Sequence, residues 1–242
     1  MEDPLHPFEL HTYIPLSLLG FDISINKAVL MMIVVVGAII LFLTKARSSG
    51  SLVPTKLQSV AELMVEFIRG IIHDTMGPEG MRFFPLVTSL FLFILFSNLL
   101  GLIPGSYTIT SQLVVTGVFA VCMYTLSIVL GLKIHGPKFL KAMLIPSGTP
   151  PFIVPLMVII EMISQLARPI SLAVRLFANM TAGHVIIGVL VGLTISGGLL
   201  IGWLPFSFTI ALYGLEVGIA FIQAYIFTIL ACVYMGDAYH LH

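Results

Sequence analysis

The residues able to do chemistry in this chain are few, and they sit where they are most costly. In SLAVRLFANMTAGH, Ser171 to His184, an arginine, an asparagine and a histidine interrupt a long apolar tract, with no opposite charge close by. An arginine at the centre of a bilayer costs roughly 3 kcal/mol or more, so such residues are candidates for function by default. Other polar groups stand singly in the same tract and the next: Glu161, Arg168, Glu216, Gln223 and Asp237. A guanidinium is a permanent cation that cannot pass its proton on. A histidine titrates near neutrality, and a carboxylate beside it can hand protons along. The repertoire is that of a fixed charge with a proton relay. It is not that of a nucleophile or a metal: no HExxH occurs, Ser171 lacks a base at hydrogen-bonding spacing, and Cys122 and Cys232 lack metal-ligand spacing. No metal and no cofactor are expected.

These residues must be positioned by membrane helices. Hydrophobic residues make up 58% of the chain and charged residues only 9%, too few to cover a soluble domain. Several apolar runs exceed the roughly 20 residues that cross a bilayer. The expected fold is all-α and polytopic, with about five membrane helices and one amphipathic helix in a single membrane domain. Residues 1–26, polar and without Lys or Arg, form an outer lead-in. Residues 27–45 form the first spanning helix, followed by a Ser48–Ser51 break. In residues 53–75, Leu57, Val60, Ala61, Met64, Val65 and Ile68 recur at helical spacing between Lys56, Glu62, Glu66 and Arg69, which predicts an amphipathic helix lying on the membrane. Residues 82–102 and 112–133 form the second and third spanning helices, with Asn98 and Gln112 near their ends as capping or interface groups. Residues 149–237 form a long tilted hairpin turning near Leu199. Its first tract would extend about 60 Å as one helix, twice the hydrocarbon thickness, and Pro169 permits a bend. No removable signal peptide is expected. Placing the N-terminus outside puts Lys45, Arg47, Lys56, Arg69, Arg82, Lys133, Lys138 and Lys141 on the cytoplasmic side, and the C-terminus with them. The formal charge balances and the basic residues are dispersed, so no nucleic-acid partner is expected.

Folding the hairpin about its turn brings the isolated polar groups into levels. Arg175 meets Gln223, His184 meets Glu216, and Glu161 meets Asp237, to within about one helical turn. Pairing across antiparallel helices makes buried polar groups tolerable. At about 100° per residue, Glu161, Ser164, Arg168, Ser171, Arg175 and Asn179 share one stripe, with Ala178 and Ala182 beside it and His184 nearly opposite. That stripe must face protein or water, and no carboxylate of this chain lies at the depth of Arg175. A partner subunit carrying one resolves the imbalance. Arg168, nearer the cytoplasmic end, also reads as a snorkelling anchor.

SLAVRLFANMTAGH resembles the signature of subunit a of the F-type ATP synthases. LVPTKLQSVAELMVEFI, SNLLGLIPGSYTITSQL, EMISQLARPISLAVRL and IQAYIFTILACVYM extend the resemblance over nearly the whole chain in order. It implies a non-catalytic stator subunit of a membrane motor, in a bacterial inner membrane (the mitochondrial inner membrane being the alternative). The implied partners are a ring of c subunits with mid-membrane carboxylates, the b-type peripheral stalk and the rest of the complex. Two offset half-channels would lead protons to and from the ring. Arg175 would favour the anionic form of each passing carboxylate and block a direct leak. His184, Glu216 and Asn179 would line the outer half-channel, Gln223 would sit by the arginine, and Glu161 would line the cytoplasmic half-channel. Ser171, Arg168 and Asp237 are further candidates.

Two features depart from many bacterial members. His184 and Glu216 are exchanged, as in mitochondrial-type sequences, which implies that they lie side by side. Thr110, Ser111 and Gln112 stand where an acidic residue is often found between the second and third spanning helices. The alternative is a self-contained channel or secondary transporter, which would often carry inverted repeats. No second copy of the arginine segment occurs. Lining by His and Glu favours protons over sodium.

Overall fold

A computed structural model describes residues 12–14, 17–18, 21–22, 24–47, 54–103, 106, 108–145, 150 and 152–239. Most of the lead-in, the Ser48–Ser51 break and the Pro104-Gly105 closure of the second spanning segment lie outside them. The lead-in residues that are described form short strands: β1 (Thr12–Ile14), β2 (Ser17–Leu18), β3 (Phe21–Asp22) and β4 (Ile25–Asn26). β1 pairs antiparallel with β4, and β2 with β3, pairing Leu18 with Phe21. Sequence patterning does not reveal ladders this short.

The rest is helical: α1 (Lys27–Ala46), α2 (Lys56–Met76), α3 (Phe84–Gly101), α4 (Leu113–His135), α5 (Pro137–Leu144), α6 (Val154–Ile201) and α7 (Trp203–Tyr239), with 3₁₀ turns at Pro78–Phe83 and Ile109–Ser111. Among the described residues, five segments are long and apolar enough to cross a membrane: α1, the run Pro78–Gly101, α4, α6 as far as Gly198, and α7. The all-α polytopic expectation holds. The short helix α5 was not foreseen. Gly136 (φ 62°) ends α4, its N–H donating to the Leu132 carbonyl, and Pro137 opens α5.

The amphipathic segment begins where Thr55 caps α2, its side chain accepting from the Gln58 N–H at 3.3 Å. It ends at Gly77, whose positive φ of 71° lets its N–H bond back to the His73 carbonyl. The long apolar tract is one helical run from Val154 to a break at Gly198, with Pro169 inside it. Gly198 (φ 58°, ψ −160°) is the turn of the hairpin, and its carbonyl accepts from the Gly202 N–H at 3.0 Å. That φ/ψ combination is essentially restricted to glycine.

Two compact units are distinguished, and each is described by itself. The first comprises Met1–Ser49, Leu92–Gln112 and Leu176–Ala224. Within it Phe42 of α1 meets Phe96 of α3 at 5.5 Å between ring centroids. Leu102, Met180 and Ala220 form a buried cluster with Leu99 and Ile219 against it. The small Ala220 lets the hairpin arms approach, which in lipid replaces the hydrophobic drive that water would supply. The apolar side chains of α1, such as Leu30, Ile33, Ile40 and Leu41, point outward, as a lipid-facing helix requires.

The second unit comprises Gly50–Phe91, Leu113–Arg175 and Tyr225–His242. Here α2 buries Ile68, Ile71, Ile72 and Met76. Phe67 stacks near Phe91 and Tyr225, with centroids 6.0 and 5.6 Å away. Of the apolar face expected for α2, Ile68 is buried and Ala61, Met64 and Val65 half-buried, while Leu57 and Val60 are exposed. The inner face is therefore the Ala61–Ile68–Met76 side.

Candidate functional site

The hairpin positions two polar groupings, one in each unit. In the first unit, His184 on α6 and Thr108 join through Nε2 and Oγ1 at 2.7 Å. The Thr108 hydroxyl also donates to the Gly101 carbonyl at 3.2 Å. A hydroxyl has one proton, so both bonds coexist only when Nε2–H of His184 donates to Thr108. Asn98, fully buried, accepts from the Thr110 hydroxyl at 2.8 Å, and the Ser111 hydroxyl donates to the Thr108 carbonyl at 2.6 Å. The segment Thr108–Ser111 is thus a hydroxyl cradle that holds Thr108 against the His184 ring. Asn98 supports this cradle rather than capping a helix.

Glu216 on α7 is 5% exposed, and neither carboxylate oxygen has a hydrogen-bond partner among the described residues. The expected side-by-side contact of His184 and Glu216 is therefore not a hydrogen bond. The carboxylate packs instead against Gly183, one residue earlier on α6, where an added Cβ would fall on Oε1. The physical reason is rotation. Successive residues differ by about 100° on a helix, so His184 turns toward Thr108 while Gly183 faces α7. Glu216, Gly183, Ala182 and Asn179 help line a cavity of about 170 Å³, large enough for a few water molecules.

Asn179 donates through Nδ2 to Oε1 of Gln223 at 3.1 Å. Gln223 is 1% exposed, and its own amide nitrogen has no partner among the described residues. The partner of Gln223 on α6 is thus Asn179, one turn beyond the residue that equal-arm arithmetic selects.

In the second unit, Arg168 lies between two carboxylates: NH2 is 3.9 Å from Glu161 Oε1 and NH1 is 3.7 Å from Asp237 Oδ2. Its guanidinium carbon stands 5.6 Å from the centroid of the Tyr234 ring. Gln165 donates to Glu161 Oε1 at 2.8 Å and accepts from the Tyr124 hydroxyl at 3.2 Å. The expected level of Glu161 with Asp237 is present, with Arg168 between them.

The expected continuous stripe on α6 is divided. Glu161, Ser164 and Arg168 are half-buried, whereas Ser171, Arg175, Ala178, Asn179 and Ala182 are exposed. Near Glu161 and Arg168 side chains of α4 and α7 meet the stripe, and farther along it Asn179 meets Gln223 of α7. Arg175 takes part in none of the ion pairs formed among the described residues. Sequence reasoning did not single out Thr108, Gly183, Gln165, Tyr124 or Tyr234. Only Gln165 carried a local signal, its i+4 spacing from Glu161.

Fold and polar groups together define a multi-pass helical membrane protein whose last two helices carry ionisable side chains within their long apolar tracts. By sequence the chain belongs to the ATP synthase A chain family, whose family model matches residues 28–236. It is 45% identical to ATP synthase subunit a of Magnetococcus marinus, with 99% of this chain and 94% of the relative covered. It is 46% identical to ATP synthase subunit a of Parvibaculum lavamentivorans, with 98% and 94% covered. It is also 46% identical to that of a Chelativorans species, with 98% of each covered.

Proposed function

We propose that the chain is the proton-translocating stator subunit of an ATP synthase membrane motor in a bacterial inner membrane, with its N-terminus outside and its C-terminus in the cytoplasm. It makes no ATP itself. The observation that carries this reading is Arg175, exposed among small side chains on α6 and without an ion-pair partner among the described residues. A permanent cation so placed suits a carboxylate delivered by another subunit, the c ring. Attraction in a low-dielectric setting favours the anionic form of that carboxylate and bars protons from passing the arginine. Small neighbours, Ser171, Ala178 and Ala182, allow a partner helix to come close.

His184, Glu216 and Asn179 form the outer half-channel, with Gln223 anchoring Asn179 at its inner end. Glu161, Arg168 and Asp237 form the cytoplasmic half-channel. The b-type stalk holds the chain against the ring's rotation. A proton crossing between the half-channels delivers about 2.3 kcal/mol per 100 mV. In vesicles carrying the intact complex, Arg175→Ala is expected to abolish proton-coupled ATP synthesis while leaving the complex assembled with its ring. Full coupled synthesis by that variant overturns the reading. Recovery of the chain without a ring of small hairpin subunits favours a self-contained channel.

A further inference from the structure

Arg168 is held by more groups than an anchor needs. An arginine that merely snorkels extends its head into water and headgroups. This one is half-buried, flanked by carboxylates on two helices, and stands off the face of Tyr234. Its separations of 3.7 and 3.9 Å are ion-pair distances too long for hydrogen bonds, so neither carboxylate is committed to a fixed bidentate clamp. Glu161 has a second support in the Gln165 amide, itself oriented by the Tyr124 hydroxyl. Asp237, on the last turns of α7, is the more exposed of the two, with 58% of its side chain open against 21% for Glu161.

We propose that Arg168 is a positioning residue that binds Glu161 and Asp237 into one proton-exchanging unit carrying a single net negative charge, with Asp237 its watery end and Glu161 its inner end. With both carboxylates ionised, one cation offsets one of two anions. The remaining negative charge is shared and accepts one proton at a time. A proton arriving from the inner side adds to a Glu161 oxygen, and the same charge balance lets Asp237 exchange a proton with bulk water. The facing groups are Tyr124 of α4, Tyr234 and Asp237 of α7, and Glu161 of the same helix; Arg175 also lies within electrostatic reach of Tyr234. Both tyrosines are neutral hydroxyls near neutral pH, so charge at the site is set by Glu161, Asp237 and Arg168. The proposal rests on the cytoplasmic half-channel reading above and names what sets that half-channel's proton affinity.

Charge counting makes the test directional. The complex in liposomes is driven at constant force, and the rate of ATP synthesis is measured against pH on the ATP-forming side. Arg168→Gln leaves two anions unopposed, so the unit keeps its proton to higher pH and the profile moves up by about one pH unit. Asp237→Asn leaves Glu161 alone with Arg168, so the profile moves down by about as much. The double variant Arg168→Gln/Asp237→Asn has the native net charge and returns toward the wild-type profile. Arg168→Lys stays with wild type. If Arg168→Gln fails to assemble, Asp237→Asn decides alone: a downward move supports the proposal, and an unmoved or upward profile overturns it. Profiles of the two single variants that are unmoved, or that move the same way, also overturn it. Loss of coupling in Arg175→Ala together with unmoved profiles removes this proposal alone, whereas full coupling in Arg175→Ala removes the reading beneath it.

Discussion

Glu216 rests its carboxylate on the backbone of Gly183, and His184, the next residue, turns away to Thr108. Two groups that the sequence places at one level are thus held by separate supports, with a water-sized cavity beside the carboxylate. Protons passing between them need a mediator such as water, since no direct hydrogen bond joins them.

A methyl group at position 183 would fall on the Glu216 carboxylate. Gly183→Ala is expected to push the Glu216 carboxylate off the helix by turning its flexible side chain, at little cost to stability. On the proposed function, proton-driven ATP synthesis falls at least tenfold while the complex still assembles. The second-site change Glu216→Asp, one methylene shorter, should recover part of the rate. Wild-type synthesis by Gly183→Ala contradicts this packing.

Thr108 gives His184 its hydrogen-bond partner. Thr108→Val keeps the shape and removes the oxygen that Nε2 of the half-buried His184 ring meets. A lost partner of this kind costs about 1–3 kcal/mol, whereas Thr108→Ser keeps the bond. The measurable outcome is a drop in ATP-driven proton pumping for valine and little change for serine. Equal rates for the two would mean that the hydroxyl does not orient the ring.

How much of this was legible beforehand depended on range. Helices α1, α3, α4 and α7 announce themselves because long apolar runs have one favourable fate in a bilayer, and α6 was legible as a tract too long for one upright crossing. Arg175, Asn179, His184, Glu216 and Gln223 were legible because polar groups in such runs are conspicuous. Their partners were not. Thr108 and Gly183 are ordinary residues whose importance arises only where separate segments meet, 76 residues apart along the chain for Thr108 and His184. The ladders β1–β4 and β2–β3 were illegible for another reason: strands of two or three residues have no period to detect. Equal rise along both arms of the hairpin also assumed regular helix through the turn, whereas the backbone departs from it at Gly198 and Gln223 bonds Asn179, one turn from Arg175.

Asn179 and Gln223 should behave as one unit. A neutral hydrogen bond contributes about 0.5–1.5 kcal/mol, and residues in contact fail additivity by such amounts. In a double-mutant cycle of Asn179→Ala and Gln223→Ala, the combined loss of pumping rate is expected to be about two- to tenfold smaller than the product of the single losses. Multiplicative losses would place the two side chains in independent roles.

Gly198 carries the turn on which every level of the hairpin depends. Its φ of 58° with ψ of −160° lies in a region that side chains do not enter without strain, costing of order 1–3 kcal/mol. Asparagine, which tolerates the left-handed helical region, gains nothing here because the ψ differs. Gly198→Ala and Gly198→Asn are therefore expected to lower the heating midpoint at which this chain leaves the detergent-solubilised complex. Gly37→Ala on α1 supplies the control: an added Cβ there meets nothing within 4 Å, and its backbone is helical. A Gly198 variant that tracks this control would mean that the turn can take another backbone path. If the strain instead relaxes by slipping α7 along α6, the Asn179–Gln223 coupling measured above should vanish in the Gly198 background, linking a turn at one end of the hairpin to proton transfer at its middle.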